Sequence, residues 1–256
     1  MKTNKTNLIL STIMALGITC LTANTVLAET EKPEADMTVG FYSQYIWRGY
    51  AFSKESLVVQ PSMSVSYKGL GLNMWGNLDT NLYTPDPNDN DANNFNETDL
   101  TLSYDGSFGK IGYGVGYIYY GLDAVDDSQE IYVSVSVDTI LSPSLTIYNE
   151  IAGYQGWYAN LSVSHSVPLT EKISLDLGAS VGYLDNEDDY SELHDGMISA
   201  AVAIPLAENI TITPELHYSF ALSGAASDAL EAANLGVIDE EDANFIYGGL
   251  SVNMAF

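Results

Sequence analysis

The stretch Ile173-Ser174-Leu175-Asp176-Leu177-Gly178-Ala179-Ser180-Val181-Gly182-Tyr183 carries Ile, Leu, Leu, Ala, Val and Tyr at its odd positions and Ser, Asp, Gly, Ser and Gly at its even ones. Successive side chains of an extended chain point to opposite faces, so this segment reads as a strand with one apolar face and one polar or tiny face. The same division recurs in Thr98 to Tyr104, Ile111 to Tyr119, Ile131 to Val137, Trp157 to Val167, Ile210 to Phe220 and Gly248 to Phe256. Less regular strands are expected over Thr38 to Arg48, Val59 to Tyr67, Leu70 to Leu78, Leu145 to Ile151 and Ile198 to Ile204. That makes about twelve strands, an even number, as in bacterial membrane barrels.

A soluble sandwich or barrel also alternates, with its apolar face inward and its charges outside. Three features favour the opposite arrangement. First, Glu97, Asp99, Glu130, Glu150, Asp176 and Glu215 mostly share a face with Ser, Thr and Gly, opposite faces that are apolar and aromatic. A lipid-facing exterior around a wet lumen explains that division. Second, connections alternate in length. Lys68-Gly69, Asp105 to Lys110, Asp138 to Pro143, Pro168 to Lys172 and Pro205 to Asn209 are short. Gly49 to Ser56, Asp79 to Asn96, Gly121 to Gln129, Leu184 to Gly196 and Ala221 to Asn244 are longer, with Ala152 to Gly156 an imperfect fit. Short periplasmic turns and long outer loops are the barrel pattern, and both termini then fall on the short-turn side. Third, Tyr67, Tyr104, Tyr113 and Phe256 mark the short-turn ends, and Tyr119, Trp157, Tyr183 and Phe220 the long-loop ends, as two interface girdles. Pro61 and Pro214 each remove a ladder donor, which predicts a strand start near the first and a bulge or break at the second.

The remainder of the chain sets the context. Among 256 residues, 34 are acidic and 8 basic, for a net charge of -26. Phosphate backbones and anionic lipid are recognised through Lys and Arg, so nucleic acid and a basic membrane patch are excluded as partners. Residues 1–28 read as a secretory signal peptide: Lys2 and Lys5, an apolar run from Leu8 to Leu21, then Val26-Leu27-Ala28. Its removal takes away Cys20, the one cysteine, and moves the charge from -26 to -28. Residues 29–37 then form a short periplasmic segment and 38–256 the barrel, which predicts an exported protein of the bacterial outer membrane.

The motif Tyr45-Ile46-Trp47-Arg48-Gly49, followed by Gln60-Pro61, Gly69, Trp75-Gly76, Glu97-Thr98-Asp99 and the run Gly112 to Tyr120, resembles the TorF-like porin family of Gram-negative outer membranes. The similarity covers Val39 to about Tyr120 and thins afterwards. It implies a barrel and a pore rather than a particular substrate. The carboxyl end, Leu250, Val252, Met254 and Phe256, also looks like the terminal-aromatic signal read by the barrel-assembly machinery, which that resemblance makes a partner.

A twelve-stranded lumen is narrow. On the first expected strand Gln44, Ile46 and Arg48 are taken to point inward, and Arg48 is the sole arginine. With Glu97, Asp99, Glu130, Glu150, Asp176, Glu215 and His217 also lining it, the pore is expected to prefer cations or neutral small solutes. Arg48 is equally readable as a structural pair with an acidic neighbour and as a constriction residue. The long loops are acidic, with Asp86, Asp89 and Asp91; Asp123, Asp126 and Asp127; Asp185, Glu187, Asp188 and Asp189; and Asp239, Glu240, Glu241 and Asp242. These are solvated loops or divalent-ion sites bridging to lipopolysaccharide, though none has the form of an EF-hand. Ala225 to Leu235 is rich in helix formers and is expected to fold over or into the mouth.

Two rival functions stand beside the pore. One is an outer-membrane lipid hydrolase, for which Glu215, His217 and Ser219 supply acid, base and hydroxyl on one stripe. The other is a non-conducting structural or adhesive barrel. No phosphate loop, dinucleotide fingerprint or other cofactor motif is present in the sequence, so neither an enzyme nor a cofactor is expected.

Overall fold

The computed structural model describes residues 32–53, 56–80, 94–123, 125–153, 156–186, 190–238 and 242–256. The signal peptide, the segment 29–31, Asp86, Asp89, Asp91, Glu187 to Asp189 and Asp239 to Glu241 lie outside the described residues. Strand β1 is Glu34–Tyr42, β2 Ile46–Trp47, β3 Tyr50–Ala51, β4 Val58–Tyr67 and β5 Leu70–Asp79. Then follow β6 Asn94–Phe108, β7 Ile111–Leu122, β8 Ser128–Val137, β9 Ser144–Glu150 and β10 Gly156–Pro168. The last elements are β11 Ser174–Asp185, β12 Ser191–Pro205, β13 Ile210–Ala221, helix α1 Gly224–Ile238 and β14 Phe245–Ala255.

Twelve of these strands form one closed antiparallel barrel in the order β1-β14-β13-β12-β11-β10-β9-β8-β7-β6-β5-β4. Each strand pairs with its chain neighbour, and β1 seals the cylinder against β14 from Asp36↔Ala255 to Tyr42↔Gly249. Closure satisfies every sheet edge, which a strand in hydrocarbon requires because an unpaired amide there costs several kcal/mol. The short turns gather at one end with both termini, where Phe256 N–H donates to Ala35 O at 2.8 Å. The β4–β5 turn is Lys68-Gly69 with φ of 51° and 85°, the mirror-image two-residue turn whose twist matches paired strands.

The period-two pattern sorts as expected. Leu72, Leu102, Val115, Val133, Leu161, Leu177 and Leu216 face outward and are exposed, while Ser134, Thr146, Ser162, Thr213 and Ser251 face inward and are buried. Soluble monomers rarely expose apolar patches beyond a few hundred Å². Here the apolar face runs round the whole cylinder, which is the exterior of a membrane-spanning barrel. Tyr67, Tyr104 and Tyr113 stand outward at the turn end and Trp157 and Tyr183 at the loop end.

At the first strand and at Pro61 the structure differs from the sequence reading; at Pro214 it agrees. The first strand ends at Tyr42 rather than Arg48, because residues 43–53 leave the wall and fold inward; it also begins at Glu34. Pro61 lies inside β4, not at its start, and β4–β5 pairing skips Gln60 and Pro61 without changing register. At Pro214 the β12–β13 ladder breaks between Ala201↔Glu215 and Ile204↔Ile212, again in register, so there is a break and no bulge. Bulges occur elsewhere: opposite Asn77 and Leu78 on the β5–β6 pair, and opposite Val181 and Tyr183 on the β11–β12 pair. The second places both His194 and Asp195 on the inner side, where both are buried.

Candidate functional site: a lumen crossed by an aromatic hairpin

The interior has two halves. Towards the turn end it is small and polar. Ser62 and Ser64 accept from Asn73 Nδ2 at 2.9 Å each, and Thr38 Oγ1 accepts from Asn253 Nδ2 at 2.9 Å. Towards the loop end, inward Tyr42, Tyr120, Tyr132, Tyr148, Tyr158 and Tyr247 are buried. Tyr rings lie over glycines of adjoining strands: a Cβ on Gly116 would meet the Tyr132 ring at 2.4 Å, and one on Gly182 the Tyr158 hydroxyl at 2.4 Å. Gly at these inward positions is what allows bulky rings to lie along the wall.

The segment after β1 fills this upper half. Ile46 and Trp47 pair with Ala51 and Tyr50, and Arg48-Gly49 turns between them with φ of 50° and 83°. It is the same mirror-image turn as Lys68-Gly69, with Gly49 in a conformation that favours glycine. A hairpin with two residues per strand is marginal alone, and packing holds it. Tyr45 contacts Phe52 and Trp75 with ring centroids at 5.5 and 5.6 Å, and Trp47 stacks on Phe52 at 5.7 Å. Gln44 Nε2 donates to Ser53 O at 3.4 Å, and Ser53 Oγ accepts from Tyr45 N–H at 2.7 Å, closing the hairpin's base.

Arg48 is the hairpin's tip. Its Nη1 and Nη2 donate to Glu130 Oε1 and Oε2 at 2.7 and 2.8 Å. Its guanidinium carbon lies 4.2, 4.8 and 4.1 Å from the ring centres of Trp47, Tyr148 and Tyr158. The hairpin grows from between β1 and β4, whereas Glu130, Tyr148 and Tyr158 sit on β8, β9 and β10, across the ring of strands. The hairpin therefore spans the lumen. Above it, α1 packs on β3, with Ala51 N–H donating to Asn234 Oδ1 at 2.9 Å. Leu230 is buried, and a Cβ on Gly49 would come within 2.9 Å of its Cδ1. The helix expected in the last loop thus does fold into the mouth.

The acids predicted to line the lumen all stand on inner-face positions but do different things. Glu130 pairs with Arg48 and accepts from Tyr120 Oη at 2.8 Å. Glu97 accepts from Tyr45 and lies beside Asp99, whose Oδ1 is buried with no hydrogen-bond partner among the described residues. Glu150 serves the loop: its Oε1 accepts from Ala152 and Gly153 N–H at 2.8 and 3.2 Å, and Ser128 donates to its other oxygen. Asp176 lies apart at the turn end, accepting from Ser174 Oγ at 3.2 Å. Glu215 accepts from Tyr42 Oη at 2.8 Å and pairs with His217 Nε2 at 3.0 Å, while His217 stacks on Tyr247 at 5.0 Å. Gln44 and Arg48 reach the interior from the folded-in loop, not from a strand.

The imidazole of His217 is thus engaged with Glu215, and its Nδ1 has no hydrogen-bond partner among the described residues. No base contacts the Ser219 hydroxyl there, which is not the geometry of an activated nucleophile. Among the described residues no three of His, Cys, Asp and Glu converge as metal ligands. Sequence reasoning missed Trp47, Tyr148, Tyr158 and Asp195. The signal for the first was the symmetry of Tyr45-Ile46-Trp47 and Tyr50-Ala51-Phe52 about Arg48-Gly49, a hairpin pattern. The signal for the tyrosines was their place on faces otherwise made of small and polar residues, such as Ser144, Thr146, Asn160 and Ser162.

The chain's fold matches known porins. It is similar to the NanC porin, with a TM-score of 0.56 at 11% identity over 86% of this chain and 98% of that one. It is also similar to the KdgM porin solved in complex with disordered oligogalacturonate, with a TM-score of 0.53 at 10% identity over 87% of this chain and 99% of that one. No family model matches the chain. No curated protein matches it in sequence.

Proposed function

We propose that this protein is an outer-membrane channel for passive passage of small solutes, with a preference for cations or neutral molecules. The chain has the twelve-stranded closed fold of outer-membrane porins. One observation carries the solute preference: the interior bears Glu97, Asp99, Glu130, Glu215 and Asp195 in its upper half and Asp36, Asp105 and Asp176 in its lower half, against Arg48, which is itself neutralised by Glu130. A cleft of one sign with low-dielectric walls concentrates the opposite charge. KdgM was solved with a chain of uronic acids; such a polyanion would be repelled by the interior described here.

Arg48 and the hairpin form the constriction in this reading, and Gln44 is a buttress of it. The outer lipid and lipopolysaccharide surround the apolar band, small solutes are the passengers, and the assembly machinery engages the last strand ending in Phe256. Reversal potentials of the reconstituted barrel under a salt gradient test the reading: cation preference is expected, and anion preference would contradict it. A second reading, a non-conducting structural barrel, draws on the hairpin and α1 together occupying the mouth; an absence of any single-channel current would favour it.

A further inference from the structure

Three walls of the box around the Arg48 guanidinium belong to the barrel, not to the hairpin. Glu130 on β8 supplies two parallel acceptors, and Tyr148 on β9 and Tyr158 on β10 supply ring faces. Tyr120 also donates its hydroxyl to Glu130 Oε2 at 2.8 Å, a bond to the fork that comes from the wall and not from the hairpin. A carboxylate with two coplanar oxygens and flanking aromatic faces matches a planar guanidinium, and suits a compact ammonium much less well. The group that fills the box enters on a turn of two residues, Arg48-Gly49. It does so imperfectly. Arg48 takes a φ of 50°, unusual for a residue with a side chain, and its Nε is buried with no hydrogen-bond partner among the described residues.

We infer that the box formed by Glu130, Tyr148 and Tyr158 is a binding site for passengers carrying a monosubstituted guanidinium group, and that Arg48 is a tethered occupant which such a passenger displaces. The inference rests on the channel reading and names its substrate class. A free alkylguanidinium makes the same two bonds to Glu130 and the same ring contacts without a strained backbone behind it. The acidic interior raises its local concentration. Displacing Arg48 frees the hairpin tip from the far wall, so recognition and opening of the constriction are one event.

The test titrates N-ethylguanidinium into detergent-purified barrel, followed by calorimetry and by tryptophan fluorescence, with N-ethylurea as the neutral isostere and ethylammonium as a charge without the planar fork. Wild type is expected to bind N-ethylguanidinium saturably and to prefer it to both controls. If the box is free of Arg48 about a tenth of the time, Arg48→Ala binds about tenfold more tightly, because the competing tether is gone. Arg48→Gln serves where the alanine variant does not fold, folding being read from heat-shifted migration on gels. Adding Tyr158→Leu or Glu130→Gln to either variant is expected to abolish the gain. The inference is overturned if the Arg48 variants bind N-ethylguanidinium no better than N-ethylurea, if the gain survives loss of Tyr158 and Glu130, or if only the variants bind and wild type does not. Binding is measured without current: a barrel that binds yet never conducts refutes the channel, and one that conducts yet does not bind refutes only the guanidinium site.

Discussion

Val133 and Val125 are similarly exposed, at 52% and 57%, yet they stand in different solvents if the barrel spans a membrane. Val133 is at the middle of the outward face of β8, flanked by Val115 on β7 and Ile147 on β9. Two outward steps from Val115 toward the loops lies Tyr119, and one step toward the turns lies Tyr113, so Val133 sits between the two aromatic girdles. Val125 lies beyond them, in the connection after β7. Replacing Val133 with Arg therefore buries a guanidinium in hydrocarbon, at about 2–4 kcal/mol for a position near the bilayer middle. Replacing Val125 with Arg adds a charge to a watery loop, with an effect within about 0.5 kcal/mol. At 1.4 kcal/mol per decade, the first change shifts the folding equilibrium by roughly thirty- to several-hundredfold and the second by little. The assay is urea unfolding of both variants in lipid vesicles, followed by tryptophan fluorescence and extrapolated to water. If Val133→Arg unfolds at the wild-type midpoint, the outer face is not in lipid, and the inside-out assignment of every strand fails with it.

Further outcomes follow from the interior. Deleting residues 224–238 removes Leu230 and Asn234 from the back of the hairpin and is expected to raise single-channel conductance; unchanged conductance means that α1 does not narrow the path. Gly182→Val places a branched side chain where a Cβ already meets the Tyr158 hydroxyl at 2.4 Å and Asp195 Oδ1 at 2.1 Å, and should cost about 1–3 kcal/mol by overpacking, read by the same unfolding assay. Ser219→Ala is expected to leave lipase and deacylase signals identical to wild type, and a selective loss would revive the hydrolase reading. Removing Phe256 should reduce the yield of barrel assembled in the outer membrane, measured as the heat-shifted fraction, without altering the stability of the protein refolded in vitro.

The alternation of residues such as those of β8, with Ile131, Val133 and Val135 out and Tyr132, Ser134 and Ser136 in, was complete in the sequence, because strand parity is a local property with a period of two. Charge on the small-residue face decided which side was wet. Reading β1 through to Arg48 failed because Gln44, Ile46 and Arg48 keep the same parity inside a hairpin that a wall strand would show. Parity does not say whether an extended segment hydrogen-bonds to its neighbours in the wall or turns away from them. Pro61 misled for a related reason: a missing donor is tolerated when the register on both sides is already pinned by the turn at Lys68-Gly69.

What the sequence determined by itself, then, was the number of strands within the barrel, their inner and outer faces, the end at which the turns gather, and the acidity of the interior, all of which follow from neighbours along the chain. Only the tertiary structure decided what those acids face. Arg48 and Glu130 are 82 residues apart, and Tyr148 and Tyr158 come from two further strands. Closing twelve strands into a ring puts β8, β9 and β10 opposite the β1–β4 pair, and a distance across a ring is set by how many strands close it rather than by any spacing in the chain.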